Sequence, residues 1–355
     1  MEIVPDTNPA TTAGTSIRYE FGLEPDIGQS IPILPGVRWL RMPLPFMLGH
    51  INLWLLEDGA SWAIVDTGLN TKTTREHWRV VLATQLQSQP VSRILVTHLH
   101  PDHSGCAGWL AELCQAPLWM TREEYLLCRV LVADTGKPVP AEAIRFYSAA
   151  GFPHDAIERY EKAFGQFGRM VADLPPSYER LTDGMNLQIG AYNWQVLVGR
   201  GHSVEHACLY CAGINTLISG DQLLPTISSN VSVYPTEPGA NPLADWFASL
   251  NMLKQALPDD VLVLPAHGKP FRGAHVRADE LINEHLQGLD RLRLLCRQPV
   301  RAIDAFTTLF KSSINENNLI MATGEAIAHL HYLEIGGEVR SWLDDDTIRW
   351  YQAVS

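Results

Sequence analysis

The sequence is poor in the features that mark several classes of protein. Charged residues make up only 19% of its 355 residues, and 27 Lys and Arg stand against 39 Asp and Glu, giving a formal net charge of −12. A protein whose main task is to bind nucleic acid is more often basic, because phosphate contacts dominate that affinity. The acidic balance therefore argues against nucleic acid as the principal partner.

Long hydrophobic runs and targeting features are also lacking. No apolar stretch reaches the ~18 residues that a transmembrane helix needs, so we expect no membrane partner. The N-terminus shows neither the basic segment nor the apolar core of a secretory signal, and we interpret residues 1–18 as a flexible arm. The chain has only six cysteines, without the spacing of a disulfide framework, which predicts a reduced, cytoplasmic protein.

The pair Cys208 and Cys211 forms a C-x-x-C sequence, but this motif lies in an apolar, strand-like run. Residues three apart in a strand point to opposite faces. We therefore interpret the two side chains as buried thiols and not as a redox or metal site.

Apolar residues make up 46% of the sequence, enough for a sizeable core. The patterns predict strands and helices in alternation, which favours an α/β sandwich with helix–sheet–sheet–helix layers. The predicted strands cover residues 37–42, 51–56, 62–68, 94–97, 186–189, 194–198, 207–210, 216–219 and 261–264. Between them, helices are predicted at 73–87 and 243–256.

Two further blocks are predicted to be mainly helical. Residues 120–180 form an insertion with helices at 121–133, 140–150 and 154–167, and Thr121 with Glu124 reads as a capping box. The insertion either extends the core or roofs a pocket as a lid. Residues 277–355 form a C-terminal domain with helices at 277–297, 302–311 and 319–333 and a hairpin at 338–351, a pattern that resembles a winged helix.

Thirteen histidines is a large number for a chain with 27 basic residues, and their positions are informative. The segment 97–105 places His98, His100, Asp102 and His103 directly after the predicted strand 94–97. Imidazole and carboxylate together favour borderline divalent ions, zinc above all. Their alternation indicates two groups of ligands, which suits two metals better than one.

Three more candidate ligands follow other strands in the same way. His202, Asp221 and His267 each come after an apolar strand and small residues. A single such histidine is more often structural than functional. Three cases in the same position relative to a strand, together with the cluster at 98–103, indicate one site at one edge of the sheets.

The motif H-x-H-x-D-H at 98–103, with His202, Asp221 and His267, resembles the metallo-β-lactamase-fold hydrolases over about residues 35–275, and implies their four-layer αββα fold. By position, the resemblance implies that His98, His100 and His202 hold one metal. Asp102, His103 and His267 would hold the other, and Asp221 would bridge them. Asp66, in a Val-Asp-Thr-Gly motif, would orient a ligand imidazole.

Branches of this family differ at these positions. Asp221 disfavours true β-lactamases, which generally lack that bridging residue, and His100 disfavours the diiron oxygen-reducing branch, which has Glu there. The full set resembles the hydrolytic branches: hydroxyacylglutathione thioesterases, lactonases, phosphodiesterases and nucleases. It implies hydrolysis by a hydroxide shared between two metals, with Asp102 and Asp221 as catalytic residues. The C-terminal region resembles a subgroup that includes a mitochondrial endoribonuclease.

Two other histidines are candidates for contacts around the metals or substrate, His206 and His50, and the loops 43–48 and 223–230 are candidate pocket walls. Cys106 is interpreted as a packing residue. The remaining histidines fit helix surfaces and receive no chemical role: His77, His154, His275, His285, His329 and His331.

The favoured function is a metal-dependent hydrolase that cleaves an ester, thioester or lactone of a small molecule, with Zn²⁺ as metal and Fe or Mn as alternatives. The alternative is a phosphodiesterase or endoribonuclease of the same fold. The alternative is supported by a cluster of arginines at 291, 293, 297 and 301, whereas the acidic run 344–346 opposes it. The C-terminal region is also a candidate surface for a homodimer.

Overall fold

The computed structural model describes residues 16–45 and 48–354. Two β-sheets form its centre. The first has seven strands in the order β1 to β7: β1 (Ser30–Leu34), β2 (Val37–Pro43), β3 (His50–Asp58), β4 (Ser61–Val65), β5 (Val91–Leu95), β6 (Leu118–Met120) and β7 (Glu179–Arg180). Strands β1 to β4 pair antiparallel, and β4 to β7 pair in parallel.

The second sheet has five strands, in the order β12-β11-β10-β9-β8. They are β8 (Asn186–Ile189), β9 (Tyr192–Gly199), β10 (His206–Cys211), β11 (Thr216–Gly220) and β12 (Leu262–Pro265). Strands β8 to β11 pair antiparallel, whereas β11 and β12 are parallel. The carboxyl ends of β9, β11 and β12 therefore lie at one edge of this sheet.

Alternation of side chains along the strands produces separate hydrophobic cores on the two faces of each sheet. In β3, Leu53 and Leu55 face one core with helices, while Trp54 and Leu56 face a core shared with the second sheet. The second sheet buries its other face against helices near the C-terminus. The order of layers is thus helix, sheet, sheet, helix, as the sequence predicts.

Helices form the two outer layers and the insertion. On the first sheet lie α1 (Lys72–Val80), extended by a π-helical turn over Val81–Gln85, α2 (Pro101–Ser104) and α3 (Ala107–Cys114). The insertion contains α4 (Arg122–Ala133), α5 (Ala141–Ala149), α6 (His154–Ala163) and α7 (Phe167–Met170). On the second sheet lies α8 (Pro242–Ala256).

The C-terminal region forms the rest of that outer layer. It contains α9 (Ala274–Leu295), α10 (Phe306–Leu309), α11 (Leu319–Ile335) and the antiparallel hairpin of β13 (Val339–Leu343) and β14 (Arg349–Ala353). We call residues 274–354 the C-terminal module. Its buried residues share one core with α8 and the second sheet, and the predicted domain boundary at residue 277 falls inside α9.

Several predictions about local structure need correction. The capping box at Thr121 is wrong: Thr121 makes no side-chain cap, and its hydroxyl donates to the Glu205 carbonyl oxygen at 2.8 Å. The single helix predicted at 154–167 is two helices, and the one at 302–311 is a 3-10 turn followed by the four residues of α10. The strands β1, β6 and β7 were not predicted.

Other predictions are confirmed or lie outside the described residues. Cys208 faces the helix-side core and Cys211 the core between the sheets, and all six cysteines are free. The predicted arm falls mainly on residues 1–15, which are not described, whereas the Arg18 backbone pairs with that of Arg272. No helix among the described residues is long and apolar enough to cross a membrane.

Candidate metal centre

The predicted ligands meet at one edge of the two sheets. His98 to His103 follow β5, His202 follows β9, Asp221 follows β11 and His267 follows β12. In each case a strand runs out into a loop at its carboxyl end, the edge at which α/β folds place their sites. The sheet topology explains why residues separated by more than 160 positions in the sequence come together.

Two groups of ligand atoms form at this edge. His98, His100, His202 and Asp221 offer atoms that all lie within 4.8 Å of one another, and so do Asp102, His103 and His267. Within the first group, His98 Nε2 lies 2.9 Å from His100 Nδ1. Apart from Asp221, which falls in the first group here, the division is the one that the family resemblance implies.

Asp221 faces both groups. Its Oδ2 lies 3.5 Å from His202 Nε2 in the first group and 3.4 Å from His103 Nε2 in the second. Its Oδ1 lies 3.6 Å from His267 Nε2. One carboxylate between two sets of imidazoles has the placement of a bridging ligand.

The outer nitrogens of the imidazoles are held by acceptors, which directs Nε2 toward the centre. His103 Nδ1 donates to Asp66 Oδ2 at 2.8 Å, and His98 Nδ1 lies 3.0 Å from Thr97 Oγ1. His202 Nδ1 donates to the Asn230 carbonyl oxygen at 2.7 Å. This arrangement fixes the tautomer of a ligand histidine and presents a lone pair to a metal.

His267 and the two additional candidate histidines complete this set of contacts. His267 Nδ1 donates to the carbonyl oxygen of His50 at 3.3 Å, so His50 contributes through its backbone. His206 is buried, stacks on His98 with 4.7 Å between ring centroids, and accepts from the Asp221 N–H at 3.1 Å. Both therefore lie around the ligands and not among them.

Unpaired polar atoms and electrostatics show that a cation fits here. Among the described residues, His103 Nε2, His202 Nε2 and Asp221 Oδ1 are buried without a hydrogen-bond partner. Burial alone would lower the pKa of His103, but the carboxylates of Asp221, Asp102 and Asp66 raise that pKa well above its ordinary value. The carboxylates thus favour positive charge at this position, which a divalent ion would supply.

The first group has the opposite electrostatic character. Burial lowers the pKa of His98 well below its ordinary value and lowers the pKa of His100 to about 3. Both imidazoles are therefore neutral at physiological pH, the form in which histidine binds metal. The donor set of imidazoles and carboxylates suits borderline divalent ions.

Glu124 is a site residue that sequence reasoning missed. Its side chain is fully buried; Oε2 accepts from the Leu99 N–H and Oε1 from the Glu205 N–H, both at 2.8 Å. It thereby ties the loop of His98 to the loop of His202. An acidic residue in the first turn of a helix carries no signal for such a role, since the helix terminus itself explains it.

The histidines of the C-terminal module also differ from expectation. His285 and His329 were predicted on helix surfaces, but they are only 5% and 3% exposed. His285 Nδ1 lies 3.0 Å from His329 Nε2, and His329 Nδ1 donates to the Glu325 carbonyl oxygen at 2.8 Å. The helical spacing of buried residues along α9, from Leu281 to Leu292, was the signal that could have placed His285 inside.

Comparisons with known proteins agree with this geometry. Residues 47–268 match the model of the metallo-beta-lactamase superfamily, and residues 289–354 match that of the metallo-beta-lactamase-like C-terminal domain. A crystal structure of a beta-lactamase domain protein from Burkholderia ambifaria is 38% identical, with a TM-score of 0.87 over 95% of this chain and 98% of that chain. The chain belongs to the metallo-beta-lactamase superfamily.

Three curated relatives are named as hydrolases or thioesterases. The Probable metallo-hydrolase YqjP of Bacillus subtilis is 25% identical over 87% of this chain and 95% of its own length. The atrochrysone carboxyl ACP thioesterase of Aspergillus fumigatus is 21% identical over 78% of this chain and 51% of its own length. The hydroxyacylglutathione hydrolase of Albidiferax ferrireducens is 26% identical over 64% of this chain and 65% of its own length. The protein is a metal-dependent hydrolase of this superfamily.

Proposed function

We propose that this protein holds two divalent ions, with zinc as the preferred metal, and hydrolyses an ester, thioester or lactone bond of a small organic substrate. The observation that carries the proposal is the position of Asp221, whose carboxylate lies 3.4 Å from His103 Nε2 and 3.5 Å from His202 Nε2. A carboxylate between two imidazole groups supports a dinuclear centre. Iron and manganese accept the same donors and are the alternatives to zinc.

The two ions, when bound, supply a hydroxide nucleophile at neutral pH and polarise the bond under attack. Asp221 would contribute its carboxylate to both groups of ligands. Asp102 is positioned for the proton: its Oδ2 lies 3.2 Å from His267 Nε2, and its side chain is 20% exposed compared with 10% for Asp221. Asp102 therefore faces the open side of the site, where its carboxylate would accept the proton that the attacking water loses and pass it to the departing group.

Two observations support a small acyl substrate. Two of the relatives, a carboxyl ACP thioesterase and a hydroxyacylglutathione hydrolase, are named for thioester substrates. The segment before His50 and the loop that follows Asp221 in the chain carry exposed apolar side chains, Leu48, Ile227 and Tyr234, which are suited to contact with an acyl group. Leu48 belongs to the predicted pocket wall at 43–48, of which residues 46 and 47 lie outside the described residues. Ile227 belongs to the other predicted wall, at 223–230.

The arginines of the C-terminal module give only weak support for binding of nucleic acid. Arg293 pairs with Glu338 at 2.6 Å, Arg301 pairs with Asp304 at 2.8 Å, and Arg291 donates to the Thr308 carbonyl oxygen. These guanidinium groups are engaged within the module, which reduces their availability to phosphate. A phosphodiesterase or endoribonuclease therefore ranks second, and a homodimer through the module stays a prediction.

The test is a substrate panel assayed with Zn²⁺ and Mn²⁺: thioesters, lactones, p-nitrophenyl esters, bis-p-nitrophenyl phosphate, RNA and a chromogenic β-lactam. We expect turnover of one of the first three classes only. Cleavage of RNA or the phosphodiester, with esters untouched, would reverse the ranking.

Two ligand variants and one control complete the test. Asp221→Ala and His100→Ala should lose metal and nearly all turnover while circular dichroism shows an intact fold. His154→Ala, whose side chain is 89% exposed on α6, should behave like the unmodified protein. Full activity in either ligand variant or after metal removal would refute the proposal.

A further inference from the structure

We propose that Glu325, on α11 of the C-terminal module, is a positioning residue for His202 and acts through Asn230. The inference rests on the proposed metal centre, in which His202 is a ligand. It assigns the C-terminal module a part in building that centre.

The path from Glu325 to the ligand has two hydrogen bonds. His202 Nδ1 donates to the Asn230 carbonyl oxygen at 2.7 Å, and Asn230 Nδ2 donates to Glu325 Oε2 at 2.7 Å. Ser232 Oγ donates to Asn230 Oδ1 at 2.6 Å, so both ends of the Asn230 amide are held. Fixing this amide fixes the residue whose carbonyl orients the His202 ring.

The same loop is attached to the module at other points. The Val233 N–H donates to the Gly324 carbonyl oxygen at 3.1 Å, and a Cβ on Gly324 would lie 2.7 Å from Ser232 Cβ, so loop and helix are in close contact. From α9, Arg277 donates to the carbonyl oxygens of Leu224 and Ile227 at 2.7 and 3.1 Å. The loop at 221–241 therefore depends on α9 and α11 for its conformation.

A carboxylate at this position is costly unless it serves a specific contact. Burial raises the pKa of Glu325 to about 7, and the hydrogen bond from Asn230 opposes that rise. An apolar residue could fill the same interface without the cost of desolvating a charge. The geometry gives the carboxylate a partner on the loop, Asn230, and through it a connection to the metal centre.

The same side chain belongs to a second grouping with His285 and His329, whose donor atoms lie within 4.8 Å of one another. The two imidazoles already bond to each other, and His329 Nδ1 bonds to a backbone carbonyl. With Glu325 Oε2 directed to Asn230, we assign the carboxylate to the loop. Metal binding by this grouping is an outcome that the experiment detects.

The experiment measures metal affinity by chelator competition and the absorption spectrum of the cobalt-substituted protein. Glu325→Ala should lower the affinity for the ion held by His98, His100 and His202 by about 10-fold, the lower end of the range for loss of a partner that orients a ligand. The affinity for the ion at the other group, Asp102, His103 and His267, should be unchanged. Glu325→Gln keeps an acceptor for Asn230 and should restore the affinity and the cobalt spectrum.

Two further variants separate positioning from general stability. Asn230→Ala should reproduce the loss, and the double variant with Glu325→Ala should lose no more, because the two residues act in series. The control is Glu334→Ala, which removes a carboxylate of the same helix that accepts from Ser341 Oγ at 2.6 Å within the module. It should leave both metal affinities unchanged.

The possible failures are distinguishable. Absence of metal from the unmodified protein refutes the proposed function and this inference with it. Normal metal binding in Glu325→Ala, or equal losses in Glu325→Gln and Glu325→Ala, overturns the inference alone. A third bound ion that disappears in both His329→Ala and Glu325→Ala would also overturn it and would make the grouping itself a metal site.

Discussion

Replacing Asp66 is expected to weaken one metal position more than the other. Asp66 is 1% exposed and accepts three hydrogen bonds: from His103 Nδ1 at 2.8 Å, from the Thr97 N–H at 2.8 Å and from Thr97 Oγ1 at 2.9 Å. In Asp66→Ala all three donors lose their acceptor. A buried donor without a partner costs about 1–3 kcal/mol, so for three donors we expect a loss of about 3–9 kcal/mol in the free energy of unfolding of the metal-free protein.

The effect on metal follows from the same contact. His103 would lose the partner that fixes its ring, and such a loss weakens metal affinity by about 10–100-fold. The decrease should be larger at the group of Asp102, His103 and His267, because Asp66 contacts His103 directly but reaches His98 only through Thr97 Oγ1. Zinc titration against a chromophoric chelator resolves the two binding steps, and urea unfolding of the metal-free protein measures stability.

Asp66→Asn is the matched variant. Asp66 has a φ of 61°, a left-handed conformation that Asn tolerates well, so the backbone should be unaffected. The Asn side chain has one acceptor oxygen in place of two, and an intermediate loss of about 1–3 kcal/mol is expected. If both variants stay within about 0.5 kcal/mol and threefold of the unmodified protein, Asp66 does not orient His103.

Three further predictions concern stability. Burial lowers the pKa of His285 to about 3 and that of His329 to about 4, so both stay neutral in the fold while the unfolded chain gains protons below about pH 6.5; the resulting stability is present above that pH and lost as pH falls toward 3–4. When the pH is lowered from 7.5 to 5.5, each histidine should reduce the free energy of unfolding by about 1.4 kcal/mol. In urea unfolding, the free energy of His285→Gln should therefore fall by about 1.4 kcal/mol less than that of the unmodified protein, and an equal fall would contradict this. Gly108→Ala should lower the free energy of unfolding by more than about 2 kcal/mol in the same experiment, because its Cβ would lie 1.8 Å from the Asp173 carbonyl oxygen. The control is Gly239→Ala, whose Cβ would have nothing within 4 Å and which should be neutral. Equal free energies of unfolding for the two variants would show that the helix of Gly108 adjusts freely. Chelation should lower the melting temperature, since an ion at about 1,000 times its dissociation constant adds about 4 kcal/mol, and an unchanged melt would argue against bound metal.

The sheet edge that carries the candidate ligands could be predicted from the sequence, because each part of it has a local signal. An apolar strand followed by a small residue and a ligand side chain describes Asp221 and His267 without reference to the fold. The topology then brings such strand ends together, since β4 and β5, and likewise β11 and β12, are parallel neighbours. A pattern that repeats at several strand ends carries more information than any single histidine.

Features that depend on a partner distant in sequence could not be predicted. The strands β6 and β7 have three and two residues, too short for a periodic pattern, and exist because neighbouring strands supply their hydrogen bonds. Glu124 has the sequence context of a helix cap, yet its carboxylate binds two loop amides. In both cases the deciding contact comes from another part of the chain.

The burial of His285 differs from these cases, because the helical period of α9 carries a signal for it. On α9 the buried positions Leu281, His285, Leu289 and Leu292 follow helical spacing, so His285 lies on the inner stripe. A histidine on such a stripe must be neutral and hydrogen-bonded, and the nearest available partner is another buried imidazole. Periodicity should therefore outweigh polarity when a single histidine interrupts an apolar stripe.

The loop at 221–241 is held by contacts with the C-terminal module. The other ligands stand on short segments directly after strands, held by hydrogen bonds to neighbouring strands and loops. The loop after Asp221 runs to α8 without a helix or strand of its own, yet it supplies the acceptor for His202. A loop of that length has no fixed conformation unless other elements hold it, and here α9 and α11 do so through Arg277, Gly324 and Glu325.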